Sequence, residues 1–134
     1  MRFMMFMYPQ ISEEDWNPSA DDVAEMNRYN VELREAGMLL ALDGLRPPGE
    51  GASISFKGAG EATVTDGPFT EAKEVVGGYW IIQARSTEEA IEWAKRCPGV
   101  DCRVEVRPIW EMEDFSPEIK EALKVYDEDL HPGV

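Results

Sequence analysis

A turn-rich segment, residues 66–82, places ionisable side chains of both charges next to glycines and a proline. It opens with Asp66-Gly67-Pro68, where the short aspartate side chain can accept hydrogen bonds from nearby backbone N–H groups. Lys73 and Glu74 follow, so groups of both charges crowd one loop. The pair Gly77-Gly78 then permits a bulge or a close approach of backbone just before an apolar strand. We therefore expect a site for acid–base chemistry or ligand binding in this segment.

Two of these residues have alternative interpretations. Asp66 is the leading candidate for a general acid or base, yet Asp-Gly-Pro is so typical of turns that a purely structural role is favoured. Both roles hold together if a structural aspartate also lines a pocket. Lys73 has glutamates close on both sides, so it is either an amine tuned by neighbouring charges or part of a solvated ion-pair run. The solvated run is favoured.

The last predicted strand supplies a second group of polar side chains. Residues 103–107 alternate with period two, so Glu105 and Arg107 share the face opposite to two valines. If this strand is internal, the pair lies between two sheets and can bind a polar ligand, since arginine suits a carboxylate. If the strand is an edge, the pair is simply exposed. Arg46, which precedes two prolines, is a candidate to close a pocket mouth. Tyr79 is a candidate ligand contact, although aromatic residues at strand ends more often fill cores.

Several kinds of chemistry are not supported by the residue types present. The one histidine, His131, lies close to the end of the sequence next to Pro132, so no nucleophile–histidine pair is expected. One histidine and two cysteines are too few ligands for a zinc site. The glycine-rich segments do not match phosphate-binding patterns, and we expect no cofactor.

The elements that must position these residues follow from the hydrophobic pattern and the turn residues. The predicted order is a strand at Arg2–Tyr8, a helix from Asp21 to Gly37, a strand at Met38–Leu42, short strands at Ser53–Lys57 and Ala62–Thr65, a strand at Tyr79–Ala84, a helix between Ser86 and Pro98-Gly99, a strand at Arg103–Arg107 and a last helix from Ser116 to about Asp129.

Each of the first two helices carries its own signal. Val23, Met26, Asn30, Leu33 and Gly37 are spaced along one face of the first helix, which we expect to point inward. In the second helix, Ser86 can cap the N–H of Glu89 while the Glu89 side chain reaches back to complete a capping box.

The first strand, Arg2–Tyr8, is a continuous apolar run, which is typical of a strand buried on both faces. The two helices cover one face of the sheet. A second copy of the sheet is the simplest cover for the other, because sheet faces pack about 10 Å apart, and we therefore predict a homodimer. The last helix has an apolar stripe of Ile119, Leu123, Tyr126 and Leu130, which we expect to pack across the dimer.

The composition sets the class of protein. The chain has 134 residues, which suits one domain, and 13 Lys+Arg against 27 Asp+Glu give a net charge of −14. This acidity argues against nucleic-acid partners and anionic membrane surfaces. Export and membrane-spanning segments are not apparent, so we expect a cytoplasmic protein, with Cys97 and Cys102 as reduced thiols.

Asp66-Gly67-Pro68-Phe69 and the run that follows it to Ile82 resemble the signature of the YCII-related proteins of the DGPF branch. Arg2–Tyr8, residues 44–47 and residues 104–109 resemble the first strand, the second-strand exit and the last strand of that family. The resemblance implies a ferredoxin-like dimeric α+β barrel without an established activity. Family members are often encoded beside RNA polymerase sigma factors, which implies a regulatory accessory role. The shorter YCII branch has a first-helix histidine proposed to pair with an aspartate. The matching residues 26–30 contain no histidine, so that mechanism is not implied.

These observations give one architecture and two functional hypotheses. We expect one domain over residues 1–114, with residues 115–134 as its C-terminal helix and tail. The favoured hypothesis is a homodimer that binds a small polar metabolite or acts as a regulatory accessory protein. The alternative is a cofactor-independent enzyme in which Asp66 is the general acid or base and Arg107 and Arg46 hold an anion.

Overall fold

The computed structural model describes residues 1–66 and 75–124 of the chain. Within these residues the fold is α+β, as predicted. Its elements are β1 (Arg2–Pro9), α1 (Ala20–Glu35), β2 (Leu39–Gly44), β3 (Ala52–Gly58), β4 (Glu61–Asp66), β5 (Gly78–Gln83), α2 (Thr87–Ala94), β6 (Cys102–Pro108) and α3 (Pro117–Lys124). The predicted continuation of the last helix to about residue 129 lies outside the described residues.

Four strands form an antiparallel sheet in the order β2-β5-β1-β6. Strand β1 is internal and pairs with β5 on one side and β6 on the other, so that Phe6 is opposite both Tyr79 and Glu105. Helix α1 connects β1 to β2, and helix α2 connects β5 to β6. This strand order with these two helical connections is the ferredoxin-like arrangement that the sequence predicts. In the described sheet β6 is an edge strand, so the condition for an enclosed Glu105–Arg107 pair is not met within one chain, and the Arg107 side chain is 68% exposed. Strands β3 and β4 form a separate two-stranded hairpin between β2 and β5.

Both long helices pack on one face of the sheet and enclose the core with it. The fully buried side chains of largest volume are Phe3, Met5, Leu33 and Ile82. Polar groups at this boundary are paired, because an unpaired buried donor costs free energy. Trp80 Nε1 donates to Asn30 Oδ1 at 2.8 Å. The helix face therefore docks on the sheet through hydrogen bonds as well as apolar packing.

The inward face of α1 differs from the prediction in its first turns. Val23 was expected to point inward, but it is 54% exposed, and residues 20–25 are all exposed. The buried side chains of this helix are Tyr29 and Leu33. The tyrosine hydroxyl donates to the backbone carbonyl of Trp93 at 2.7 Å, which joins the two helices. The first turns of α1 thus extend beyond the part of the helix that covers the sheet, so apolar residues there stay exposed although their spacing is that of a buried face.

The predicted caps are found, with one change of partner. Ser86 Oγ accepts from the N–H of Glu89 at 3.1 Å. The Glu89 carboxylate accepts from the N–H of Arg85 at 3.2 Å, one residue before the capping serine, so the predicted capping box is wrong in that half. At α1, Ser19 and Asp22 form a complete box. Each cap satisfies N–H groups that have no partner within the helix.

In the part of the chain that the structure describes, the helices are too short or too polar to cross a bilayer.

Candidate functional site

The sheet has a second face, directed away from α1 and α2, which we call the open face. Because side chains alternate along a strand, one residue in two of each strand belongs to it. Its members are Met4, Phe6 and Tyr8 of β1, Tyr79 and Ile81 of β5, Arg103, Glu105 and Arg107 of β6, and Asp43 of β2. The open face therefore brings together several of the polar residues singled out above.

The centre of the open face is apolar. Met4 lies opposite Ile81, and Phe6 lies beside it along β1. All three side chains are half-buried within the single chain, whereas Phe3 and Met5 on the other face are 0% exposed. A single chain thus buries one face of β1 completely and leaves the other partly in water.

The charged groups of the open face converge on Glu105. Its Oε2 lies 3.4 Å from Arg103 Nη1, and its Oε1 lies 3.9 Å from Arg107 Nε. The Tyr8 hydroxyl donates to Oε2 at 3.4 Å. The Arg103 guanidinium also lies over the Tyr8 ring, 4.1 Å from its centroid, in cation–π geometry. Two guanidinium groups therefore share one carboxylate beside an apolar centre.

A second hydrogen bond crosses the open face from β5 to β2. The Tyr79 hydroxyl donates to Asp43 Oδ2 at 2.7 Å. This bond to the aspartate, followed by desolvation and the aspartate's charge, raises the pKa of Tyr79 above its ordinary value. The phenol therefore stays protonated at neutral pH and acts as a hydrogen-bond donor, not as a base.

The end of the open face is closed by an ion pair. Arg2 Nε lies 2.7 Å from Glu111 Oε1, in the segment that follows β6. The hydrogen bond from Arg2 lowers the pKa of Glu111 below its usual range, and the charge of Arg2 adds to this effect. The pair ties the first strand to the segment that leads to α3.

The structure separates the residues that the sequence singled out. Glu105 and Arg107 lie together, and Tyr79 lies on the same face with Asp43. Arg46 lies elsewhere in the described part of the chain: its Nη2 pairs with Glu50 Oε1 at 2.7 Å, and its side chain is 84% exposed.

The acidic loop is only partly described. Asp66 ends β4 opposite Ala52, and its side chain lies outside the described residues. Lys73 and Glu74 lie outside the described residues as well. Their roles stay predictions.

Sequence reasoning missed three contributors to the open face. Arg103 has the same alternation as the pair chosen on β6, so this signal was readable in the sequence. Tyr8 lies at the end of the first predicted strand, and its role depends on the pairing with Arg103, which joins strands far apart in sequence. Asp43 has no local signal, because only the pairing of β2 with β5 places it opposite Tyr79.

The predicted close approach at the glycine pair is confirmed. Gly77 N–H donates to the carbonyl of Met7 at 2.7 Å. A Cβ atom at Gly77 would lie 2.5 Å from a ring carbon of Pro9, and one at Gly78 would lie 3.1 Å from the carbonyl oxygen of Asp43. A side chain at Gly77 therefore requires the Pro9 ring to move, and one at Gly78 makes a tight contact with the backbone of β2.

A cleft of about 510 Å³ lies on another side of the molecule, between the end of α1, the end of β5 and α2. Two of its polar side chains are already paired. Gln83 Nε2 donates to the carbonyl of Gly37 at 2.7 Å, and Arg85 pairs with Glu89. Both side chains therefore already have partners within the chain.

The two cysteines are free thiols near the end of α2. Burial, and then the nearby charge of Cys102, raises the pKa of the Cys97 thiol to about 12. Burial followed by Asp101 raises the pKa of Cys102. Thiols with raised pKa values are poor nucleophiles at neutral pH.

In residues 1–66 and 75–124, His, Cys, Asp and Glu side chains do not form a group of three or more that could hold a metal ion.

Comparison with known proteins places the fold in a family. The sequence profile of the YCII-related domain matches residues 1–113. The uncharacterized protein R00369 of Rhizobium meliloti (strain 1021) is 34% identical over 99 residues, which cover 70% of this chain and 79% of that protein. The residues matched by the family profile include the four-stranded sheet, the hairpin, α1 and α2. The chain therefore belongs to the YCII-related family.

Proposed function

We propose that this YCII-related protein is a homodimer whose two open faces lie against each other, and that the space between them binds a small organic carboxylate. One observation carries the proposal: an apolar centre lies directly beside two arginines that share one glutamate, in a chain of net charge −14. Guanidinium groups concentrated at one place in an acidic protein are suited to a negatively charged ligand.

The homodimer follows from the half-buried centre. Met4, Phe6 and Ile81 leave apolar surface in water that a second sheet, packed about 10 Å away, would remove. Charge also favours this face over the rest of the surface. Its arginines balance its acidic groups, so two copies of an acidic chain meet there without the repulsion found elsewhere.

The ligand class follows from the donors. Arg103 and Arg107 can form paired N–H bonds to a carboxylate. The apolar centre suits the hydrocarbon part of the same ligand. Glu105 balances the two guanidinium groups when the site is empty, which lowers the cost of enclosing them.

The described side chains of this site are better suited to ligand binding than to catalysis. The raised pKa of Tyr79 makes it a donor, and Glu105 is engaged by arginines on both sides. The enzyme hypothesis depends on Asp66, whose acid–base role is still a prediction.

The test uses phenylacetate as the probe and phenylacetamide as its neutral match. We expect phenylacetate to raise the melting temperature of the wild type and to bind in titration calorimetry, and the amide to do neither. Arg107→Gln should abolish both effects. Arg85→Gln is the control, because Arg85 is 93% exposed and pairs with Glu89 away from the open face. If Arg46→Gln also weakens phenylacetate binding, the pocket includes Arg46. If binding is unchanged, the pocket is confined to the open face.

Equal binding of the acid and the amide, or unchanged binding by Arg107→Gln, would contradict the proposed site. Sedimentation equilibrium, which measures the oligomeric state, tests the dimer separately from ligand binding.

A further inference from the structure

The β3–β4 hairpin, Ala52–Asp66, has one apolar face and one hydroxyl face. Ile54 is opposite Val64, and Phe56 is opposite Ala62. The residues between them on β3 and β4 are serines and threonines, which point to the other side. This pattern is typical of a hairpin that covers something with one face.

In the described part of the chain, the apolar face is not covered. All seven residues of β3 are exposed. Phe56 is 72% exposed, Val64 63% and Ile54 55%. An isolated two-stranded hairpin is at best marginally stable in water, so a partner surface is needed to hold it.

Charge favours a second copy of this chain as that partner. The hairpin contains one lysine, Lys57, and two acidic residues, Glu61 and Asp66, whereas the whole chain has a net charge of −14. The hairpin is thus a nearly neutral stretch of a strongly acidic protein. Two acidic copies approach each other with least repulsion through such stretches.

The chain segments before and after the hairpin each meet the border of the open face. Leu45 N–H donates to the carbonyl of Gly77 at 2.9 Å, which extends the pairing of β2 with β5. Gly77 N–H in turn donates to the carbonyl of Met7 in β1. The chain therefore leaves the sheet for the hairpin, and returns from it, at the same border.

Interface size gives a further reason. Four strands about 4.8 Å apart, each about six residues long at about 3.3 Å per residue, give the open face a footprint of about 400 Å². Each partner in a standard interface buries about 800 Å². The hairpin of each protomer adds about 200 Å² of buried surface. The surface of the same protomer that the partner's hairpin covers adds about the same area, so the total reaches the standard size.

From these observations we propose that the hairpin is a dimer arm, whose apolar face of Ile54, Phe56 and Val64 packs against the second copy of the chain. This inference rests on the proposed homodimer and adds the segment that holds it together. The arm of each copy lies at the border of the two stacked open faces.

The first test measures the dimer dissociation constant by sedimentation equilibrium. The arm variant is Ile54→Ser with Phe56→Ser, and the matched control is Ser53→Ala with Ser55→Ala on the hydroxyl face. We expect the arm variant to weaken the dimer about tenfold or more, as loss of a buried aromatic anchor does, and the control to stay within about twofold. Circular dichroism checks that each protomer remains folded.

A third variant, Phe6→Asp, separates this inference from the proposed open-face dimer. If Phe6→Asp dissociates the dimer and the arm variant does not, the arm is wrong and the open-face dimer stands. If the arm variant dissociates it and Phe6→Asp does not, the arm stands and the open-face dimer is wrong. A monomeric wild type overturns both.

The second test identifies what the arm touches. A benzoylphenylalanine in place of Phe56 is illuminated in the expressing cells, and the mass of the product is measured. A product of twice the chain mass, with cross-linked peptides shown to be intermolecular by mixed isotope labelling, supports the arm. A product of single-chain mass, or one containing another macromolecule, overturns it.

Discussion

Glu105 is the residue at which the charges of the open face meet. Its carboxylate pairs with Arg103 and Arg107 and accepts the hydroxyl of Tyr8. In an empty site it occupies the donors that an anionic ligand needs. A residue with these contacts tunes affinity through the arginines, because it competes with the ligand for the same N–H groups.

Replacement of Glu105 by glutamine should therefore strengthen carboxylate binding. We expect the dissociation constant for phenylacetate to fall about 1.4- to fivefold, which corresponds to the ~0.2–1 kcal/mol of a partly exposed ion pair. Calorimetry measures the affinity, and thermal unfolding checks that stability changes by less than about 1 kcal/mol. Glu92→Gln, which removes an exposed pair with Lys95, is the control. Weaker binding by Glu105→Gln would show that the carboxylate positions the two guanidinium groups for the ligand instead of competing with it.

The Arg2–Glu111 pair should make stability depend on pH in the acid range. The pKa of Glu111 is lower in the folded chain than in the unfolded chain, so the pair stabilises the fold above the unfolded value of about 4.3. That stability is lost as the pH falls through the lower folded pKa. Since Arg2 is 43% exposed, we expect less than about 1 kcal/mol.

Urea unfolding of the wild type and Glu111→Gln between pH 6 and 3 would measure this effect. The difference in unfolding free energy should be present at pH 6 and vanish at the acid end. A constant difference over the whole range would mean that the pair contributes through packing instead of charge.

Among the elements, α3 differs most from the two core helices. It begins at Pro117 after the Ser116 cap, as the sequence predicts, yet its described residues include no fully buried side chain. Ile119 is 47% exposed. An apolar side chain left in water on a folded helix calls for a further surface, and the predicted surface is the partner copy.

Truncation after Phe115 should then weaken the dimer and lower its melting temperature together. The physical reason is the loss of the stripe that includes Ile119 and Leu123. Sedimentation equilibrium of the truncated and full-length chains measures the first effect, and a thermal scan at one protein concentration measures the second. Equal dissociation constants would show that the helix serves only its own chain.

The elements that were predictable have local signals. The alternation in β6 placed Val104 and Val106 toward the core, and the hairpin followed from two short strand patterns around Gly58-Ala59-Gly60. Gly60 has a positive φ of 84°, as the turn requires. Strand faces and turns depend on near neighbours, so sequence alone identifies them.

The elements of the site that were not predictable depend on register. The bond from Tyr79 to Asp43 requires a pairing of β2 with β5 that shifts at a bulge between Leu39 and Ala41. A shift of one residue would move Asp43 to the other face. No local pattern encodes such a shift, and the exposed first turns of α1 show the same limit for helices.

At the scale of the whole molecule, two aspartate substitutions on neighbouring residues of β1 should have opposite effects. Met5 is 0% exposed in the core of the single chain, so Met5→Asp should unfold the protomer by placing a charge there. Phe6 belongs to the open face, so Phe6→Asp should give a folded monomer. Circular dichroism and light scattering distinguish the two states.

A folded dimer of Phe6→Asp would show that the two copies meet through another surface. An unfolded Phe6→Asp would show that the open face is part of the protomer's own core. Either result revises the proposed assembly.

The internal position of β1 has a consequence for the order of synthesis. Strand β1 is synthesised before β5 and β6, between which it lies, so Phe3 has both its neighbours only after Ile82 and Pro108 have been made. Until then the nascent chain exposes the apolar run of residues 3–7, a segment of the kind that aggregates or recruits chaperones. We expect its folding on the ribosome to be a late event, set by the arrival of β6.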